Sequence, residues 1–231
     1  MLVDTAHDPR TALVSALRLG AIGLGAAVFA GLCAPLPPGF AGLPYLAGYL
    51  AIFLLGSGFR VFRAVARNEA DRPTPASWSG ATAATAFVAA AASLVLALLG
   101  ADGVRLLAAY AVAINAAYVP AKVACLFAGC CREVRPLTGW LAGADLRWAE
   151  IGGSATVLLA VGLALTVGRP DLAAILGIGA HLALRRLSHG HRQPRPRPFV
   201  SLKGFGLESV GLSLALAMAV LLELVTSAPA A

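Results

Sequence analysis

Apolar runs separated by short polar connectors fill this chain. They fall near residues 12–35, 42–63, 79–100, 105–127, 148–167, 170–187 and 204–226. A helix needs about 20 apolar residues to cross a bilayer. The pattern therefore predicts an all-α, polytopic membrane protein with about seven transmembrane helices in one bundle. Residues 1–231 are read as a single integral membrane domain. No repeat of fixed period interrupts that reading.

The connectors alternate in character. Residues 36–41, the 101–104 turn and the tail after 224 carry no Lys or Arg, and the 168–170 turn "GRP" holds one Arg. Residues 64–78, 128–147 and 188–203 are basic, the last reading "SHGHRQPRPRPFVSLK". The N-terminus and the second, fourth and sixth loops thus share one side. The positive-inside rule makes that side cytoplasmic. Trp78, Trp140 and Trp148 fall on the same side and fit an interfacial aromatic belt. The first run is read as a retained helix, because no signal-peptide layout precedes it. These features predict a multi-pass protein of the cytoplasmic (inner) membrane.

Composition sharpens the picture. The chain is 59% hydrophobic and 13% charged, with mean hydropathy +0.81. A soluble domain of this size does not carry so much apolar surface. The net charge of +7 sits between apolar runs, which fits anionic phospholipid headgroups and argues against nucleic acid as a partner. Small residues such as those of "GAIGLGAAVFAG" in the first span predict close helix packing. The proline run at 194–198 predicts a stiff, extended segment.

Candidate chemistry gathers on the basic side. Lys122 closes the fourth span together with Cys125, Cys130 and Cys131. Glu150 opens the fifth. Arg185, His189 and Arg192, spaced i, i+4, i+7, share one face if the sixth helix continues past Gly190. An ionisable group within a span costs about 2.5–3.5 kcal/mol at the helix centre on insertion scales, so it faces a bundle interior or snorkels outward. Snorkelling suits Lys122, a helix-dipole contact suits Glu150, and positive-inside anchoring suits each arginine taken alone. Convergence of all of them would instead make a lipid-phosphate pocket. Arg60, Arg63 and Arg67, with Asp71 beyond, read as a solvated charged face on headgroups. The Cys130–Cys131 pair has a packing reading and a thiol-redox reading. It lacks the spacing of a metal site even with His189 and His191 nearby, so no metal and no cofactor are expected. His181 reads as a hydrogen-bonded interior histidine, and Asn115, Tyr110 and Tyr118 as interhelical polar contacts.

Three stretches resemble the prolipoprotein diacylglyceryl transferase family and its cysteine-containing relatives. "AKVACLFAGCC" is similar to the family's Gly-Arg-x-Gly-x-Phe stretch, with Lys122 at the arginine, Ala124 at a glycine and Gly129 keeping its place. "LRWAEIGG" looks like the aromatic-x-Glu opening of the family's fifth span, with Glu150 on the acid. "LRRLSHGHRQP" is similar to Arg-x-x-x-Glu-x-x-Arg-Gln-Pro, with Arg185 and Arg192 on the arginines and His189 on the glutamate. The resemblance covers roughly residues 105 to 225. Two departures stand out. The family carries a His-Gly-Gly element, while this chain has no histidine between His7 and His181. The family also works at the outer membrane face, while the basic loops here point inward.

The resemblance implies transfer of a diacylglyceryl group from phosphatidylglycerol to the cysteine thiol of a lipoprotein precursor. Lys122, Arg185 and Arg192 would hold the departing phosphate, and His189 or Glu150 would serve as base for the thiol. Two other readings stand beside it. One is a non-catalytic phospholipid-binding or scaffolding protein on the same fold, and the other a small transporter or thiol-redox protein.

Overall fold

The computed structural model describes residues 9–33, 78–129, 133, 136–139, 142–192 and 205–227. Those residues form helices and turns, with no strand among them. In chain order the helices are α1 (Pro9–Cys33), α2 (Trp78–Leu98), α3 (Gly103–Phe127), α4 (Leu146–Thr166), α5 (Pro170–Arg192) and α6 (Phe205–Ser227). Four contain segments long and apolar enough to cross a membrane: Ala12–Cys33, Gly103–Phe127, Leu146–Thr166 and Gly206–Ser227. The apolar stretch of α2, Thr82–Leu98, is shorter. The expected span at 42–63, the 60–71 charged face, the 194–198 proline run, Trp140 and Cys130–Cys131 lie outside the described residues.

Large apolar side chains cover much of the outward faces. Leu98, Leu159, Leu163, Val167, Leu224 and Val225 are all exposed. Such a surface requires hydrocarbon around it, so the described helices belong to a membrane-embedded protein.

α3 is the central helix and packs on all five others. Its buried positions are mostly alanine, from Ala108 to Ala124. Small side chains bring helix backbones together where lipid removes the hydrophobic drive. A Cβ on Gly177 of α5 would stand 2.6 Å from Ala111 Cβ on α3, and one on Gly103 only 2.2 Å from the Ser93 carbonyl oxygen of α2. On α1 part of the small-residue stretch 20–31 forms the packing face. Ala21, Ile22, Ala26, Phe29 and Cys33 are buried, while Gly20, Gly23 and Gly31 have nothing within 4 Å of where a Cβ would be. The core side of α1 thus mixes small residues, Ala21, Gly25 and Ala26, with Ile22 and Phe29 at helical spacing, and Gly20, Gly23 and Gly31 lie off it.

From α2 to α6 successive helices run antiparallel, so the C-terminal ends of α3 and α5 meet the N-terminal ends of α4 and α6. Cap chemistry fixes where α4 begins. Asp145 accepts from the Arg147 backbone N–H at 2.9 Å and from Arg147 Nε at 2.9 Å. Arg147 Nη1 also donates to the Cys125 carbonyl on α3 at 3.2 Å. Arg147, read from sequence as a loop cation, is therefore 4% exposed and staples the start of α4 to the end of α3.

Candidate functional site

That staple sets Glu150, one turn further along α4, against Lys122. Lys122 Nζ lies 3.2 Å from Glu150 Oε2. α5 continues as helix past Gly190 to Arg192, so Arg185, His189 and Arg192 do share a face. From that face the Arg192 guanidinium pairs with Glu150 Oε2, and Arg185 Nη1 stands 4.0 Å from Glu150 Oε1. Glu150 is fully buried. A carboxylate without water needs charged partners, and these cations supply them.

Tyr118 joins the two halves of the cluster. Its hydroxyl donates to Glu150 Oε1 at 2.5 Å and accepts from Arg185 Nη1 at 3.0 Å. The Lys122 ammonium sits 4.8 Å from the Tyr118 ring centroid, within cation–π range. Sequence reasoning had given Tyr118 only an interhelical contact. It is the shared partner of the whole group because parallel packing of α3 and α5 aims it at both.

One acid was missed altogether. Glu208, in the first turn of α6, is fully buried and holds Arg185 with a two-pronged contact. Nε donates to Oε1 at 2.7 Å and Nη2 to Oε2 at 2.8 Å. The available signal was an acid inside the apolar run 204–226, a position that membrane energetics marks as paired.

Beneath this cluster Asn115 anchors His181. Asn115 Nδ2 donates to the Ala111 carbonyl at 2.8 Å and the Gly177 carbonyl at 3.1 Å. The amide orientation is thereby set, and Oδ1 faces His181 Nδ1 at 3.1 Å. An amide oxygen only accepts, so Nδ1 carries a proton. The His181 ring meets Tyr118 edge-on at 5.0 Å. Both rings are buried within the bundle.

Of the residues expected at the site, Lys122, Glu150, Arg185 and Arg192 are brought together. His189 is half-buried on the same face of α5, between Arg185 and Arg192. Cys125 enters through its carbonyl, as the acceptor for Arg147. Cys130 and Cys131 lie outside the described residues. Among the described residues no group of three His, Cys, Asp or Glu could hold a metal ion. Compared with known protein families, with characterised proteins and with solved structures, the chain matches none.

The cluster can do two things chemically. It clamps four helices at one end, and it concentrates fixed cations where a phosphate oxygen would be stabilised in place of a carboxylate oxygen. Any such ligand must displace Glu150 from Lys122 or Arg192.

Proposed function

We propose that this chain is a seven-span, multi-pass protein of the cytoplasmic (inner) membrane that acts on anionic phospholipid as a diacylglyceryl transferase. The support is a single observation: Lys122 from α3 and Arg185 and Arg192 from α5 converge on Glu150 of α4. These are the positions at which the sequence resembles the prolipoprotein diacylglyceryl transferases.

In the proposed reaction the thiol sulfur of a lipoprotein precursor bonds to the phosphate-bearing carbon of the diacylated glycerol in phosphatidylglycerol. The carbon–oxygen bond to phosphate breaks, and glycerol phosphate leaves with that electron pair. The thiol proton passes to a base, Glu150 or His189. Lys122 and Arg192, freed from Glu150 as it turns to the thiol, hold the phosphate with charge-assisted hydrogen bonds. Arg185, kept in place by Glu208, supplies the third cation.

The test is transfer of diacylglyceryl from phosphatidylglycerol vesicles to a lipobox peptide, alongside complementation of a transferase-depleted bacterium. Arg192→Gln is the variant of choice, because its side chain is the least buried of the three cations. Transfer that falls at least tenfold at unchanged protein level supports the reading. Wild-type protein that transfers nothing sinks it.

A second reading is a non-catalytic phospholipid-binding protein. It is favoured by the carboxylates already seated on the cations, which suit a structural clamp. Vesicle binding without transfer would select it.

A further inference from the structure

We propose that the opposite end of the bundle carries a separate site for one anionic phospholipid, with its phosphate on Arg105 and an acyl chain in the cavity beside it. The cavity measures about 310 Å³, which reaches the lower end of ligand pockets, roughly 300–1,000 Å³. Leu32 of α1, Ala108 and Ala109 of α3, Leu165 of α4 and Pro170 opening α5 form its walls. These side chains offer water no hydrogen bonds, and a buried water needs about 2–4 polar partners. Hydrocarbon suits such walls better.

Arg105 is the only charged residue among the described residues lining the cavity. The nearest acid in sequence, Asp102, caps α3 by accepting from the Arg105 backbone N–H at 2.9 Å. Arg147 and Arg169 hold Asp145 and Asp171, and Arg185 and Arg192 hold Glu208 and Glu150. Among the described residues the Arg105 side chain has no such ion pair. A cation without a counter-ion at the rim of an apolar cavity matches an amphiphile with an anionic head.

The surroundings favour a lipid over a soluble anion. Leu98, Leu99 and Val167 at the same end are 78%, 66% and 64% exposed, so hydrocarbon already borders the cavity. α3 carries both Arg105 and Lys122, about 25 Å apart along its axis at about 1.5 Å per residue. That separation, against a hydrocarbon core of about 30 Å, puts this site and the Glu150 cluster near opposite leaflets. The Arg105 site therefore stands apart from any transfer chemistry at the Glu150 cluster.

Native mass spectrometry of the full chain in detergent tests it, with phosphatidylglycerol and phosphatidylcholine of matched chains added in turn. Wild-type protein should show an Arg105-dependent phosphatidylglycerol-binding step, preferred over phosphatidylcholine and additional to any lipid held at the Glu150 cluster. Arg105→Gln should weaken that preference about tenfold, the scale of one charge-assisted contact, while Arg192→Gln leaves the Arg105-dependent binding step in place. Ala109→Leu, which fills the cavity, should lower retention of both lipids. Should that variant fail to fold, Arg105→Gln decides alone, since its side chain is exposed. Equal phosphatidylglycerol retention by Arg105→Gln and wild type overturns the proposal. So does full displacement of the lipid by millimolar inorganic phosphate, which would mark an anion site that does not read the chain.

Discussion

Replacing Glu208 by Gln tests whether the ionic cluster is as dry as its geometry implies. The change keeps volume and removes one charge. It leaves Arg185, 8% exposed at its side chain, with a neutral amide where a carboxylate accepted two bonds. One prong of the fork then faces an NH₂ donor instead of an acceptor. The next carboxylate oxygen, Glu150 Oε1, is 4.0 Å away, and Glu150 is already engaged by Lys122 and Arg192. Removing one partner of a buried pair costs about 3–5 kcal/mol, because the remaining charge is stranded. At about 2–4 °C per kcal/mol for a chain of this size, Glu208→Gln should lower the unfolding midpoint in detergent by about 6–20 °C. The double variant Arg185→Met/Glu208→Leu should recover much of that loss, since no stranded charge remains. Recovery stays incomplete, because Tyr118 loses the donor at its hydroxyl. A double-mutant cycle over these positions reads the coupling directly. A cost below about 1 kcal/mol for Glu208→Gln, the range of exposed pairs, would mean that water reaches Arg185 and that the pair is not buried.

Two further outcomes follow from the same packing. Gly103→Ala should destabilise the protein by about 1–3 kcal/mol by thermal unfolding, because the new Cβ would stand 2.2 Å from a backbone oxygen of α2; unchanged stability would mean that α2 and α3 approach less closely. Asn115→Leu strips the His181 Nδ1 proton of its acceptor and should cost about 1–3 kcal/mol. Histidine ¹⁵N spectra should place the proton of His181 on Nδ1 in the wild type, and a proton on Nε2 alone would mean that the Asn115 amide is turned the other way.

Much of the site could be read along the chain, for reasons that are local. Six of the seven apolar runs coincide with the described helices, and their alternation put Lys122, Glu150, Arg185 and Arg192 at one end. The i, i+4, i+7 spacing of residues 185, 189 and 192 placed two of these cations on one face once α5 proved continuous. Glu208 and Tyr118 escaped because their roles depend on which helices touch. A lone acid at the start of an apolar helix satisfies the helix dipole just as well as it satisfies an arginine. A tyrosine in an alanine-rich span says nothing about what its hydroxyl meets. The small-residue stretch of α1 packs through Ala21, Gly25 and Ala26, while Gly20, Gly23 and Gly31 face away, because small residues permit close packing without requiring it.

The two ends of the bundle have different physical characters, and the difference has a cause. Between helices lined with alanine and glycine, dispersion contacts are nearly the same after one helix slides a turn against another, so packing alone specifies register weakly. Buried charges specify it strongly, because a slipped register would leave Glu150 or Arg185 in hydrocarbon without a partner. The cluster draws on α3, α4, α5 and α6 at one end only. At the other end Arg169 pairs with Asp171 from the same turn, which ties no two helices together, and a cavity opens between α1, α3 and the α4–α5 turn. The charged end thus sets the alignment of the helices, and the far end is left able to accept an acyl chain between them.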